Sequence, residues 1–274
     1  MLIVGERINT SRKIKGDPAI ERAVIARDEK AIRRLAQFQS QAGCDYIDLN
    51  AGTLGADEPQ ALEWLTRMVQ EAVPAPLCFD TPDPQALGRA LRAYDSARGQ
   101  PFINSISAET ARYASMLPFA LAHRSKVIAL AMDDSGIQSD PEKRFCVAAR
   151  LIEDLAREGV LLDDIYVDPL IFPIGSSDDA VLAVLEVLSR LRSAFPGVHT
   201  IAGLSNVSHG MPARRLLNTA MTVLCLGRGL DAGILDPTDR GLMAAIAAAE
   251  ALLGQDAFCC RFLGLYRKGA FDGL

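Results

Sequence analysis

The sequence predicts an α/β protein of the (β/α)8 TIM-barrel class, and three observations carry that expectation. Short apolar runs of strand type alternate with helical stripes from one end of the chain to the other. Eight such pairs in 274 residues give about 34 residues per unit, the length of a βα unit with short loops. Small polar and acidic residues stand at the ends of the strand-like runs, where parallel α/β folds place their chemistry.

Strands are expected at residues 2–4, 45–49, 77–79, 101–103, 127–131, 165–167, 200–204 and 230–235, each an apolar run too short for a helix. Between them lie stripes of 3.6-residue period. Leu62, Leu65, Val69 and Val73 make one; Phe145, Ala148, Ile152 and Leu155 a second; Val181, Leu185, Leu188 and Leu191 a third. Asp83, Asp140 and Asp178 read as helix caps. Residues 169–177 form the longest patternless loop. The stretch Gly203-Leu204-Ser205-Asn206-Val207-Ser208 reads as a strand end, a tight polar turn and the approach to a helix opening near Pro212. Alone it is as well explained by capping as by function, but the same strand, polar residue and helix pattern recurs along the chain. No composition break divides residues 1–274, which are expected to form one domain. Residues 255–274 form a tail with Phe258, Phe262, Leu263 and Tyr266, expected to pack on the barrel or on a partner subunit.

Composition narrows the function. Apolar residues make up 49% and charged residues 23%, so a large core is expected and disorder is not. A net charge of −5 and the absence of a basic, aromatic-laced cluster argue against nucleic acid as partner. Charge arrives too early at the amino terminus for a secretory signal, and residues 241–254 are too few to span a bilayer, so a soluble, cytoplasmic protein is expected. The six cysteines form no C-x-x-C pair, and Cys259-Cys260 has no neighbouring histidine, which favours a structural reading over a metal or redox one.

In such a barrel the strand ends gather at one mouth. There the sequence places Glu6, Arg7 and Asn9, then Asp48 and Asn50, Asp80, Asn104 and Ser105, Met132 and Asp133, Asp168, Asn206, and Asp236. Asp48 and Asn50 alternate around Leu49 and so face the same side. Asp80 and Asp168 end apolar runs with no lysine or arginine beside them in sequence, which makes each costly to enclose without a partner. Carboxylates and amides with few cations suit a neutral, donor-rich ligand, and an amino-pyrimidinone edge offers a carboxylate two parallel N–H bonds. A phosphate would want a glycine-rich loop or converging cations. A hard-cation site is the other reading of Asp and Asn. Only three histidines occur, none in a ligand-spaced pair, and no tightly bound metal is expected.

Six motifs in register now carry a resemblance over nearly the whole chain. They are Met1-Leu2-Ile3-Val4-Gly5-Glu6-Arg7-Ile8-Asn9, Asp48-Leu49-Asn50, Phe79-Asp80, Ile103-Asn104-Ser105, Tyr166-Val167-Asp168-Pro169-Leu170 and Gly203-Leu204-Ser205-Asn206-Val207-Ser208. Together they resemble the pterin-binding methyltransferase family. The likeness is greatest to the methyltetrahydrofolate:corrinoid/iron–sulfur protein methyltransferases and extends to the folate domain of cobalamin-dependent methionine synthase. The resemblance implies a (β/α)8 barrel, usually homodimeric, that binds 5-methyltetrahydrofolate or tetrahydrofolate at its mouth. It implies that Asp80, Asn104 and Asp168 anchor the pterin, that Asn206 approaches N5, and that Arg214 lies near the folate. Ser205, Glu6, Asn9, Asp48, Asn50 and His209 complete the expected folate site. Two departures stand out. His209 occupies a position where glutamine is expected, and reads either as a surface loop residue or as a member of the proton network, since imidazole titrates near about 6.5. The stretch Arg12-Lys13-Ile14-Lys15-Gly16 is longer than the family's usual loop, which alters the rim that would face a corrinoid protein.

The chemistry implied is methyl transfer between N5 and cobalt, and N5 needs a proton or strong hydrogen bond to become a leaving group. Asn206 can donate a hydrogen bond but not a proton, so the proton must come from water or another member of the network. His123, His199 and His209 all lack the corrinoid-binding Asp-x-His-x-x-Gly setting, so the cobalt is expected on a separate corrinoid protein. Two other functions compete. A dihydropteroate synthase-like enzyme would bind pyrophosphate with late cations, yet no lysine occurs between Lys143 and Lys268 and Asn206 stands where that family has lysine. A non-catalytic folate-binding subunit is the second, separated from the enzyme by a single-turnover assay. The direction of transfer is left open by the sequence.

Overall fold

The computed structural model describes residues 1–13, 16–177 and 179–273. Runs rich in valine, isoleucine and leucine form the strands β1 (Leu2–Asn9), β2 (Tyr46–Asn50), β3 (Leu77–Asp80), β4 (Phe102–Ala108) and β5 (Lys126–Asp133). A two-residue β6 (Gly136–Ile137) folds back antiparallel on β5, and β7 (Ile165–Asp168), β8 (His199–Gly203) and β9 (Ala232–Leu235) follow. Apart from β6 the pairing is parallel throughout. β1 pairs with both β2 and β9, and β4 with β5, so eight strands close into a ring. The expected (β/α)8 barrel is the architecture observed.

Ten α-helices occur among the described residues: α1 (Ala19–Ile25), α2 (Glu29–Gln41), α3 (Glu58–Ala72), α4 (Pro84–Ala93), α5 (Thr110–His123), α6 (Pro141–Arg157), α7 (Ala180–Ala194), α8 (Arg214–Leu226), α9 (Arg240–Leu252) and α10 (Cys260–Arg267). Two exceed the expected eight, because β1 is followed by a helix pair and the tail holds α10. Asp83 accepts from the Gln85 amide at 2.8 Å and Asp140 from Lys143 at 3.1 Å, each with proline opening the helix behind it. Asp178, expected to act likewise, lies outside the described residues, as do Ile14 and Lys15 of the rim stretch.

Three boundaries differ from expectation in ways that bear on the mouth. β1 continues to Asn9 and β4 to Ala108, so Glu6, Arg7, Asn9, Asn104 and Ser105 lie within strands instead of following them. Register explains the first: after an irregularity between Gly5 and Ile8, β1 stays paired with β2 through Asn9 and Asn50. Conversely, β8 stops at Gly203 and Leu204–Ser208 tightens into a 3-10 turn, with α8 beginning only at Arg214.

The barrel interior takes one side chain from every strand of the ring: Val4, Tyr46, Cys78, Phe102, Ile128, Tyr166, Ile201 and Ala232. Phe102 meets Tyr46 and Tyr166 edge-on at 5.3 and 4.7 Å, closing the floor with aromatic surface. Below them His199 stacks on Tyr166 and lies between Asp231 at 2.8 Å and Asp163 at 3.1 Å. A second apolar layer, including Ile47, Leu62, Leu65, Phe79 and Leu87, fills the space between strands and helices. The tail lies on α9: Arg261 and the Met1 amino group both pair with buried Glu250, and Arg240 donates to the carbonyls of Ala270 and Asp272.

β1 depends on one close approach. A Cβ on Gly5 would stand 2.5 Å from Oε1 of Gln39, a wholly buried side chain whose oxygen accepts from the Arg7 amide. Gly5→Ala should therefore cost about 1–3 kcal/mol of stability by overpacking. Urea unfolding of the variant checks this; an unchanged midpoint would show that Gln39 moves aside freely.

Candidate active site

Strand alternation builds the site. Two residues beyond the apolar floor, on the same inward face, stand Glu6 after Val4, Asp48 after Tyr46, Asp80 after Cys78, Asn104 after Phe102 and Asp168 after Tyr166. On the remaining three strands Leu130, Gly203 and Ile234 hold the corresponding places. The layer directly above the hydrophobic floor is thus acidic and amide-bearing on five of eight strands.

On the β2–β3–β4 side, Asn50 donates to both the Asp80 carbonyl and its Oδ2, at 3.1 and 3.0 Å, and accepts from the Gly52 amide at 3.1 Å. Asp80 lies opposite Asn104 in the β3–β4 ladder. Asp48 is buried, and its Oδ1 has no hydrogen-bond partner among the described residues. Burial, with the Asp80 charge added, lifts its carboxyl well above the usual range, while Cys78 and Asn104 offset part of this. Asp80 is itself pushed up to about 6 by burial, against the pull of Asn50 and the Arg112 guanidinium. Across the mouth Asp168 is 7% exposed and is pushed up to about 7 by burial, opposed by the amides of Leu170 and Gly203 and by Arg144. The Leu170 amide donates to its Oδ1 at 2.7 Å.

The β1–β8–β9 side is differently made. Arg7 and Arg12 both donate to Asp236 Oδ2, at 2.9 and 2.8 Å, and Arg12 lies 3.5 Å from Glu6. Burial would raise Asp236, but Thr238, Arg12 and Arg7 outweigh it and hold the carboxyl below its ordinary value. Glu6 remains raised, chiefly by burial, although Arg12 and Ser205 pull the other way. Ser205 Oγ donates to Glu6 Oε2 at 3.2 Å. Arg214 ties down the 3-10 turn, donating to Ser208 Oγ and to the Ser205 carbonyl at 3.0 Å each. Asn206 is exposed above the end of β8. Its amide nitrogen would lie 3.0 Å from a Cβ on Gly203, so glycine there gives the side chain room to fold back.

The structure thus gathers Glu6, Asp48, Asp80, Asn104 and Asp168 on one inward layer, with Asn50 two residues beyond Asp48 and Ser205, Asn206 and Arg214 at the rim. Asn9 turns into its own loop, accepting from Ser11 at 2.9 and 2.6 Å. His209 is exposed, with its amide bonded to the Asn206 carbonyl. Asp133 leaves the mouth: it bonds Ser135 and Arg150 on the flank of a hollow of about 600 Å³ between α5 and α6, outside the acidic layer. Sequence reasoning missed the cations near Asp80 and Asp168, Arg112 and Arg144, because helices deliver them from a distance in sequence. Arg144 did carry a signal, since it occupies the buried stripe four residues before Ala148. Among the described residues, no group of three or more His, Cys, Asp or Glu is arranged to hold a metal, and no helix is long and apolar enough to cross a membrane.

Comparison with known proteins agrees with this geometry. Residues 5–236 match the pterin binding enzyme family. A methylcorrinoid:tetrahydrofolate methyltransferase of Eubacterium limosum is 33% identical over 271 residues, covering 98% of this chain and 97% of that protein. Methionine synthase of Mycobacterium tuberculosis is 28% identical over 247 residues, 86% of this chain but 20% of that longer protein. Among solved structures, a dihydropteroate synthase of Xanthomonas albilineans with 4-aminobenzoic acid has a TM-score of 0.69 at 18% identity, covering 93% of this chain and 92% of that one. A Yersinia pestis dihydropteroate synthase with a pterin–sulfa conjugate has a TM-score of 0.68 at 16% identity, covering 92% and 94%. The structural likeness at that identity establishes the barrel; the sequence matches establish the lineage. This chain belongs to the pterin-binding enzyme family.

Proposed function

We propose that this protein is a methyltransferase that moves a methyl group between N5 of tetrahydrofolate and the cobalt of a corrinoid carried by a separate protein. The observation that carries the reading is the 33% identity, over nearly the full length of both chains, to a protein named for that reaction. That name puts the methylcorrinoid first, and it favours transfer from corrinoid to folate. The acidic inner layer supports a pterin ligand: Asp48 has an unpartnered acceptor, and Asp80 and Asp168 sit where ring N–H donors would relieve their burial. A dihydropteroate synthase-like activity has the fold in its favour but lacks the lysine that would meet pyrophosphate.

In this reading Asp48, Asp80, Asn104 and Asp168 fix the pterin, with Asn50 holding Asp80 in place. The corrinoid supplies the methyl-carrying cobalt. Asn206 hydrogen-bonds N5 as its charge changes, and Arg214 and Ser208 fix the turn that carries Asn206. When N5 gains the methyl group it loses a proton; in the reverse direction it gains one. Glu6, raised by burial and bonded to Ser205 beside Asn206, is placed to hold that proton. We also read residues 1–274 as one domain that works as a cytoplasmic homodimer. The tail on α9 supports this by leaving Phe258 94% exposed, a surface for a second copy.

Three outcomes test the proposal. Asp168→Ala should weaken tetrahydrofolate binding by roughly 2–4 kcal/mol, since a bidentate charge-assisted contact is lost; calorimetric titration of the folded variant with parent-like affinity would sink the anchoring role. Because Asp168 must be ionised to accept two N–H bonds, affinity in the parent should be full above about pH 8 and fall as pH drops through 7. A flat profile between pH 6 and 8 would show that no titrating acceptor binds the ring. Asn206→Ala should lower kcat/KM for methyl exchange with cobalamin by roughly a hundred- to a thousandfold, with folate affinity much less changed. Methyl transfer at the parent rate would make Asn206 a turn residue and no more.

A further inference from the structure

Arg144 is the only arginine or lysine among the described residues that is fully buried, at 1% exposure. It stands in the first turn of α6, and its guanidinium bonds backbone carbonyls only. Nε donates to Gln138 at 2.8 Å, and Nη1 donates to Pro169 at 3.2 Å and Leu170 at 3.3 Å, while the group lies 5.3 Å over the Phe172 ring. No carboxylate among the described residues comes within ion-pair distance of it. A cation enclosed without an ion pair is costly, so its acceptors deserve an explanation in structure. They come from two loops, the segment after β6 and the segment after β7.

The second of these loops begins at Asp168. Leu170 is held at φ 64, in the left-handed region that a leucine adopts only under constraint. That conformation turns the Leu170 amide back onto Asp168 Oδ1 at 2.7 Å, while its carbonyl faces Arg144. One peptide segment therefore links the guanidinium to the carboxylate. We propose that Arg144 is a positioning residue for pterin binding, which aims the Asp168 carboxylate through the Pro169–Leu170 segment and supplies the positive charge that keeps it an acceptor. The inference rests on the folate reading of the mouth and names a residue that the reading does not itself require. Burial pushes Asp168 up to about 7, and the nearby Arg144 charge acts against that rise. A further titratable group packed toward Asp168 is the Cys225 thiol from α8, which burial pushes up to about 12 and so leaves neutral.

The test compares the parent protein with Arg144→Met and Arg144→Lys by two measurements. Carboxyl carbon NMR of Asp168 in the ligand-free protein reads its titration midpoint, and calorimetry with tetrahydrofolate from pH 6 to 9 reads affinity. In Arg144→Met the midpoint should rise by about one unit or more, because a nearby charge that favours ionisation is gone. Affinity at pH 7.5 should fall at least about tenfold, with its pH profile displaced upward, because the acceptor is both misaimed and protonated. Arg144→Lys keeps the charge but not the planar fork, so the midpoint should stay near the parent's while affinity still drops. Should the methionine variant fail to fold, the lysine variant carries the test alone, and parent-like binding by it overturns the role of the fork. An Arg144→Met protein with an unmoved midpoint and parent affinity overturns the inference outright. A parent that binds no tetrahydrofolate overturns the folate reading as well, and the ligand-free titration distinguishes that failure from one confined to Arg144.

Discussion

Carboxylates are withdrawn from water at the mouth of this barrel faster than positive charge is brought to them. Asp48, Asp80 and Asp168 all lie one layer above an aromatic and aliphatic floor, and burial raises all three. A carboxyl whose folded pKa exceeds its unfolded one binds more protons in the native state, so its contribution to stability is lost as pH rises from the ordinary carboxylate range to about 6 or 7. Near neutral pH the site is held by the rest of the fold at a cost in stability. On the proposed reading, N–H donors of a bound ring would recover part of that cost, as a phosphate could not.

The opposite side of the mouth obeys another rule. There Arg7 and Arg12 converge on Asp236, and Thr238 completes its hydrogen bonds, so that carboxylate is ionised and satisfied within the protein. Its neighbour Glu6 is left raised and bonded to Ser205. The mouth is therefore divided. One side, on β2, β3, β4 and β7, carries buried acceptors, and the other, on β1, β8 and β9, carries a buried carboxyl raised above its ordinary value beside the turn that bears Asn206. On the proposed reading, methyl transfer at N5 draws on both sides, the acceptors to hold the ring and the carboxyl to hold a proton.

The barrel is shared with proteins of much lower sequence identity. Dihydropteroate synthases share the barrel at TM-scores of 0.68 and 0.69 while sharing fewer than one residue in five. What the barrel fixes is the inward layer, because strand alternation and closure dictate which side chains meet above the floor. Which groups occupy that layer here, and that Arg112 and Arg144 stand behind two of them, follows from this chain's own residues.

The division between sequence and tertiary structure follows from the range of the interactions involved. The eight strands, most helices, the acidic caps Asp83 and Asp140 and the inward phase of Asp48 and Asn50 were legible, since each depends on periodicity or on contacts a few residues long. The lengths of β1 and β4 were not, because they are set by pairing with strands far away in sequence, which is also why Glu6 and Asn104 proved to be strand residues. Asp133 was expected at the mouth, yet at the end of β5 it bonds Ser135 and Arg150 on the outer flank. Arg112 and Arg144 approach Asp80 and Asp168 from separate helices, 32 and 24 residues away along the chain, and no local pattern could pair them. The sequence by itself determined the barrel and the acidic character of its mouth; only the closed fold decided which of those acids are buried without a counter-charge, because burial and long-range charge are properties of assembled layers.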